Sequence, residues 1–231
     1  MTNTSRGIRR SLTAAAGLVL MTALAQIGGA PAQAAVPECN GFTAAEAAAL
    51  GYIVDELPVN GGSVDHTGST DWHFVLGGAG PDIIITGDEN DIVCGRGGDD
   101  TITTNGGEDD VFGDADRDTI DLGPGDYDYA EGNGGVDTIN GGPGVDFVFG
   151  DGQNPQANDA RDVLRGGGGN DTLNGGGGPD ELYGEQHDDA LYGNDAADYL
   201  DGGPGVNDLD GGDNLNDVCI NGPNESNCEL P

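Results

Sequence analysis

Aspartates recur at a fixed spacing through most of this chain, and their chemistry is that of a site for a hard cation. Read in units of nine from residue 77 to residue 219, the sequence repeats Gly-Gly-x-Gly-x-Asp-x-U-x, where U is apolar. An aspartate at the same place in every turn forms a column of carboxylates. Like charges near the strand spacing of about 4.8 Å repel unless cations lie between them. Carboxylate and carbonyl oxygens, without histidine or cysteine, favour calcium.

The predicted metal ligands are the aspartates at the sixth position of each unit. Fifteen units follow one another, and twelve of them carry aspartate at this position. The twelve are Asp82, Asp91, Asp100, Asp109, Asp118, Asp137, Asp146, Asp162, Asp171, Asp180, Asp189 and Asp198. In this alignment the exceptions are Tyr127, Asn207 and Asn216, and we expect weaker metal binding in their units.

The apolar U position distinguishes this segment from a disordered tract rich in glycine and aspartate. It is apolar in all fifteen units, a regularity that composition alone does not produce. The U residues are Ile84, Val93, Ile102, Val111, Ile120, Tyr129, Ile139, Val148, Leu164, Leu173, Leu182, Leu191, Leu200, Leu209 and Val218. The glycine-rich half predicts a turn and the x-U-x half a short strand with one side chain inward. Such units bury their apolar residue only by stacking.

The repeat resembles that of the RTX (repeats-in-toxin) family, and its cleanest copies are residues 77–84, 141–148 and 175–182. The resemblance implies an all-β fold, a parallel β-roll loaded with several calcium ions. It also implies that two units make one coil, that ions lie between units two apart, and that turn carbonyls complete each site. The aspartates then form two rows, one beginning Asp82, Asp100, Asp118 and the other beginning Asp91, Asp109.

Two irregularities interrupt the nine-residue spacing. One residue is added between Tyr129 and Gly132, next to the unit in which Asp126 and Asp128 flank Tyr127. Seven residues are added within 151–160, where proline, asparagine and glutamine predict an exposed loop.

The N-terminus predicts export. Arg6, Arg9 and Arg10 precede an apolar run at 14–27, and Ala32 and Ala34 complete a signal peptide over residues 1–34. The run is short for the alternative, a membrane anchor.

After cleavage, 42 acidic residues would remain with four arginines, which gives a net charge of −38, against −35 for the whole chain. This charge excludes nucleic acid as a direct partner. We expect an extracellular protein without a membrane span in its mature part.

Four cysteines suggest two disulfides in an exported chain, with three possible pairings. We favour Cys39–Cys94 and Cys219–Cys228, which bracket the two ends of the roll. A zinc site of cysteines with His66 or His73 is the alternative, but the familiar zinc-ligand spacings are missing.

Caps are expected at both ends of the roll. Residues 35–67 are the predicted N-terminal cap, with a capping box at Thr43, a short helix to Leu50 and a weak strand at 52–59. Residues 68–219 are the roll, whose first unit is degenerate because His73 takes the aspartate place. Residues 220–231 are the C-terminal cap.

No constellation of catalytic residues stands out, so the sequence predicts a non-enzymatic protein. It contains neither a Gly-x-Ser-x-Gly nor a His-Glu-x-x-His motif.

The leading interpretation is a secreted calcium-binding roll that folds outside the cell and has a structural or adhesive role toward the cell surface or extracellular matrix. The alternatives are a polysaccharide-acting enzyme with its site on the roll face, and an ice-binding face formed by outward threonines such as Thr101 and Thr119.

Overall fold

The described part of the chain consists mainly of short strands that follow the nine-residue period of the sequence. The computed structural model describes residues 38–39, 41–152, 160–212 and 216–228. The predicted signal peptide and most of the predicted loop at 151–160 lie outside these ranges. Within them, no helix is long and apolar enough to span a membrane.

Successive strands alternate between two parallel sheets, so two units make one coil. The first sheet contains β4 (Ser63–Asp65), β6 (Ile83–Ile85), β8 (Thr101–Thr103), β10 (Thr119–Asp121), β12 (Thr138–Pro143), β14 (Val163–Gly168), β16 (Glu181–Gln186), β18 (Tyr199–Asp201) and β20 (Val218–Ile220). The second contains β3 (Ile53–Glu56), β5 (His73–Leu76), β7 (Ile92–Gly97), β9 (Asp110–Ala115), β11 (Tyr129–Gly134), β13 (Phe147–Phe149), β15 (Thr172–Gly176), β17 (Ala190–Asn194), β19 (Asp208–Asp210) and β21 (Asn224–Ser226). The predicted parallel β-roll is confirmed as a solenoid of about nine turns.

The core is a double column of aliphatic side chains between the two sheets. Ile84 pairs with Ile102, and Ile102 with Ile120, so each U residue lies directly on the U residue of the neighbouring coil. From Ile84 to Leu209 these side chains are almost completely buried. At roughly 1.5–3 kcal/mol for each buried aliphatic side chain, this column is the main apolar contribution to stability.

Two of the predicted core residues are wrong by one position. Ala130, not Tyr129, is buried and pairs with Val111, because the added residue lies in the turn before Asp128 and not after Tyr129. Cys219, not Val218, occupies the last core place and pairs with Leu200. In both cases the shift brings an aspartate into the aspartate column.

The predicted helical cap is present, and it covers the outer face of the second sheet at β5, β7 and β9. After the antiparallel pair β1 (Glu38–Cys39) and β2 (Phe42–Thr43), helix α1 spans Ala44–Leu50. Thr43 and Glu46 form the expected capping box, and Gly51 ends the helix at a φ of 101°. Ala47 of α1 packs with Phe74 and Phe112 in a second apolar cluster. The cap therefore buries aromatic side chains that the roll core has no space for.

The coil extends beyond the predicted limits of the roll at both ends. Strands β3 and β4, within the predicted cap, already belong to the two sheets, and β21 continues the second sheet inside the predicted C-terminal cap.

Both favoured disulfides are confirmed. Cys39 bonds to Cys94 and ties the cap to β7, whereas Cys219 bonds to Cys228 and ties β20 to the end of the chain. The first spans 55 positions of sequence and the second only 9, so the first restricts the unfolded chain more.

Candidate metal centre

The sixth-position aspartates form two continuous ladders, one on each edge of the roll. In each ladder the backbone N–H of one aspartate donates to Oδ1 of the aspartate in the next coil, over 2.8–3.2 Å. Ladder A contains Asp82, Asp100, Asp118, Asp137, Asp162, Asp180, Asp198 and Asp217. Ladder B contains Asp91, Asp109, Asp128, Asp146, Asp171 and Asp189, and ends at Asn207. The two predicted rows are therefore the two ladders.

Sequence reasoning missed two members of these ladders, Asp128 and Asp217. Asp109 N–H donates to Asp128 Oδ1, and Asp198 N–H donates to Asp217 Oδ1, each over 2.9 Å. Tyr127 and Asn216, which the strict spacing placed in the ladders, lie one residue earlier. An aspartate directly follows Tyr127 and Asn216, but one also follows Asn207, which stays in ladder B, so this signal alone could not have separated them.

The second oxygen of most ladder carboxylates is buried without a hydrogen-bond partner. Among the described residues, Oδ2 is unpartnered in Asp100, Asp109, Asp118, Asp128, Asp137, Asp146, Asp162, Asp171, Asp180, Asp189, Asp198 and Asp217. A buried acceptor without a partner costs about 1–3 kcal/mol, and more when it is charged. So regular a series of unpartnered oxygens is what a row of cation ligands would show.

In most of these turns a glycine lies opposite the Oδ2 atom, at a place where any larger residue would clash. A Cβ placed on Gly141 would lie 2.6 Å from Asp146 Oδ2 and 2.7 Å from the carbonyl oxygen of Gly166 in the next coil. The glycine that begins each ladder A turn, from Gly77 to Gly193, meets the same two kinds of oxygen. We call this place, with its ladder carboxylate and the carbonyl of the adjacent coil, a glycine recess. Both oxygens are of the kind that calcium takes as ligands.

Three turns at the N-terminal end of ladder B do not have this recess. Where the other turns begin with glycine, these begin with Thr86, Thr104 and Leu122, all fully buried. The Thr86 hydroxyl donates to the carbonyl of Thr104 over 3.2 Å, and the Thr104 hydroxyl donates to the carbonyl of Leu122 over 3.0 Å. Leu122 joins the aliphatic core. These turns therefore lack the glycine recess at their first residue. In Asp91 both carboxylate oxygens accept backbone N–H groups, whereas Oδ2 of Asp109 and of Asp128 is unpartnered.

The last turn of ladder B is also satisfied without an ion. Asn207 Nδ2 donates to the carbonyl oxygens of Gly203 and Asn221, each over 3.0 Å. The amide N–H groups of Asn207 satisfy these carbonyl oxygens directly. An aspartate at this position would need a cation between its carboxylate and the carbonyls. The predicted weakening at Asn207 therefore has a direct structural reason.

Several turns carry ordinary residues where glycine would be unstrained. Glu185 and His187 have φ values of 71° and 81°, and Asn194 and Ala196 have 74° and 79°. Left-handed backbone costs a non-glycine residue about 1–2 kcal/mol. Calcium bound in these two turns would have to offset this cost, so we expect weaker binding there.

Burial makes the ladder carboxyl groups hard to ionise in the metal-free protein. Desolvation, followed by the charges of neighbouring aspartates, raises the pKa of Asp180 to about 9. Desolvation raises the pKa of Asp118 and of Asp162 to about 8. Near neutral pH these groups are therefore partly protonated unless a cation stabilises the carboxylate form.

Acidification is expected to stabilise the metal-free roll. An unfolded aspartate titrates near about 3.9, below the folded values, so the folded chain binds more protons and loses stability as the pH rises from about 4 to about 9. In chelator, far-UV circular dichroism should show more β structure at pH 5 than at pH 8. Saturating calcium should abolish or reverse this order, since it binds the carboxylate form. Identical spectra at both pH values in chelator would contradict the burial of the ladders.

The comparison with protein families identifies the same repeat. The family model of the RTX calcium-binding nonapeptide repeat (4 copies) matches residues 74–102, 95–127, 128–157, 156–182 and 183–214. Together these segments extend over more than half of the chain, and they contain all twelve predicted ligands. No curated protein and no solved structure shows significant similarity to the chain.

Proposed function

Because the chain belongs to the family of RTX calcium-binding nonapeptide repeat proteins, we propose that it is exported and folds around calcium outside the cell. The repeats bind calcium, and the proposal concerns what this binding does. The unpartnered Oδ2 atoms of the ladders carry the argument, because they are buried acceptors that only a cation can satisfy together.

The ions would be held mainly on ladder A and on the C-terminal half of ladder B. Ladder A offers a glycine recess in every turn from Asp82 to Asp198, and ladder B offers one at Asp146, Asp171 and Asp189. The blocked turns would bind calcium less well, above all at Asp91, whose two carboxylate oxygens already accept backbone N–H groups. Bound calcium supplies positive charge between the carboxylates, while the chain's own residues provide the oxygens and the left-handed turns.

The surface that the folded roll would display supports a structural or adhesive role. Its metal ligands are buried, whereas the faces of the two sheets carry side chains such as Thr101, Thr119, Phe147 and Tyr192, which are exposed. The full chain has a net charge of −35. A partner at the cell surface or in the extracellular matrix would therefore meet an acidic, regularly spaced surface.

Export is tested by the N-terminal sequence of the protein found in the culture medium. We expect a mature chain that begins at Ala35, because Ala32 and Ala34 form the cleavage motif. Replacing Ala34 with Asp should block processing and retain the uncleaved precursor with the cells. A mature N-terminus inside residues 38–95, or retention of the normal chain in the cytosol, would contradict export through a signal peptide. The position of the mature N-terminus does not depend on whether the purified protein folds with calcium.

A further inference from the structure

The first turn of ladder B holds a different set of side chains from every later turn. His73 takes the ladder position, and its backbone N–H donates to Asp91 Oδ1 over 2.6 Å. His66 lies two residues after Val64, as Thr86 lies two residues after Ile84 in the next coil. Asp55 pairs with the core residue Val75 of the next coil. Later turns of ladder B place a glycine or a threonine next to an aspartate. In this turn two imidazoles and one carboxylate lie together instead.

The donor atoms of these three side chains converge. One atom each of Asp55, His66 and His73 lie within 4.8 Å of one another. Asp55 Oδ2 is 2.9 Å from His66 Nε2 and 3.9 Å from His73 Nδ1. The second distance is too long for a hydrogen bond. The group is therefore close enough to share one ion, and it is not already a closed hydrogen-bond network.

His73 provides an independent indication of a ligand. Its side chain is 1% exposed, and among the described residues its Nδ1 has no hydrogen-bond partner. Its Nε2 lies 2.9 Å from Ser69 Oγ. With the proton on Nε2 and donated to Ser69, Nδ1 directs a lone pair toward Asp55, which is the arrangement of a metal-binding histidine supported by a second residue. An unpartnered buried lone pair is costly unless something binds it.

We propose that Asp55, His66 and His73 bind one divalent transition-metal ion, such as zinc. Imidazole nitrogens suit zinc and its neighbours, whereas calcium takes oxygen ligands, so this site differs in kind from the calcium recesses of the ladders. Three protein ligands leave one position of a tetrahedral ion open. The side chains of His66 and Asp55 are 25% and 29% exposed, so the ion enters from solvent.

Binding requires one imidazole to rotate. The two rings are stacked, with centroids 3.8 Å apart and planes inclined by 18°. On a tetrahedral ion with bonds of about 2.0–2.1 Å, the two nitrogens point toward the metal from directions about 110° apart. His73 is buried and bonded to Ser69, so the half-exposed His66 ring is the one that turns. The bound ion would join β3, β5 and the residue after β4, and so fasten the first two coils together.

The spacing rules for zinc motifs do not find this site. His66 and His73 are seven residues apart and Asp55 lies eleven residues before His66. These separations come from one circuit of the coil, not from a helix or a tight turn. The four cysteines, which a zinc motif would normally recruit, are all in disulfides.

Cobalt titration of the purified protein in saturating calcium tests the proposal. Calcium fills the ladder sites, so cobalt reports on nitrogen-containing sites through its visible absorption. We expect one cobalt per chain, displaced by zinc. His66→Ala and Asp55→Asn should each weaken cobalt binding by more than about 10-fold. Circular dichroism in calcium should show that both variants keep the roll, since both side chains are partly exposed.

His187→Ala is the matched control, because it removes the only other histidine, which is exposed in a later turn of the same edge. Its cobalt affinity should equal that of the unmodified protein. An absence of cobalt absorption would overturn the proposal. So would unchanged binding in both His66→Ala and Asp55→Asn, or a loss of binding in His187→Ala. Calcium-dependent folding is measured separately, and its failure would leave this result interpretable.

Discussion

In excess chelator at neutral pH the purified protein is expected to lose its β structure, and millimolar calcium is expected to restore it steeply. The metal-free chain has a net charge of −35 and only 5% aromatic residues, so its burial of apolar surface must overcome strong self-repulsion. Extracellular calcium modules bind at about 10⁻⁴–10⁻³ M. An ion at about 1 mM against a dissociation constant of about 10⁻⁴ M adds about 1.4 kcal/mol. A handful of such sites then matches the whole stability of an ordinary domain, about 5–15 kcal/mol.

Far-UV circular dichroism during a calcium titration checks this result. Coupling between neighbouring coils should make the transition cooperative. Magnesium at the same concentration should restore much less structure, because it demands a smaller and nearly octahedral set of ligands. A full β spectrum in excess chelator would contradict calcium-dependent folding, although it would leave the roll itself intact.

Asp180→Asn is expected to remove calcium from the middle of ladder A. Asp180 Oδ2 is buried and unpartnered, and it faces the recess between Gly175 and the carbonyl of Gly193. An asparagine amide at this position would donate N–H hydrogen bonds to nearby carbonyl oxygens, as Asn207 does at the end of ladder B. These hydrogen bonds would replace the cation. Because each recess has one ladder carboxylate, the site at Asp180 should be weakened most. Isothermal titration should show fewer ions bound and a less steep transition.

Asp91→Asn is the matched control on the other ladder. Asp91 occupies the equivalent position, but Thr86 takes the place of the glycine, and both carboxylate oxygens already accept backbone N–H groups. Its calcium stoichiometry should therefore stay close to that of the unmodified chain. Asp126→Ala, on an exposed residue beside the ladder, should also have little effect. Equal losses in Asp180→Asn and Asp91→Asn would show that the blocked turns bind calcium after all.

The period of the repeat was enough to predict the coil, the two rows of aspartates and the column of U residues. The reason is that each unit carries the same local information, a glycine-rich turn and a strand with one inward side chain, and only stacking satisfies it. Thr43, Glu46 and Gly51 likewise specify the ends of α1 through local hydrogen bonds. Cysteine number and placement favoured the correct disulfides but did not exclude the other pairings.

Only the tertiary structure decided where the spacing slips and which turns can hold an ion. A turn accepts an extra residue at little cost, whereas pairing between coils is worth many hydrogen bonds, so Asp128 and Asp217 enter the ladders and Tyr127 and Asn216 do not. The contact between the first residue of a turn and the last residue of the same turn also depends on the tertiary structure, and the nine-residue pattern of the sequence does not show it.

The residue at the start of a turn decides whether the turn has a glycine recess or is blocked, as it is at Thr86 and Thr104. In the first turn of ladder B, the same neighbourhood brings His66 against His73. Asp55 and His66 belong to the first coil and His73 to the next, and the degenerate sequence of the cap did not reveal the strand pairing that joins these coils. The repeat thus determines the scaffold and its principal ion. The departures from the repeat acquire their chemistry only from the neighbouring coil, because side chains far apart in sequence meet there.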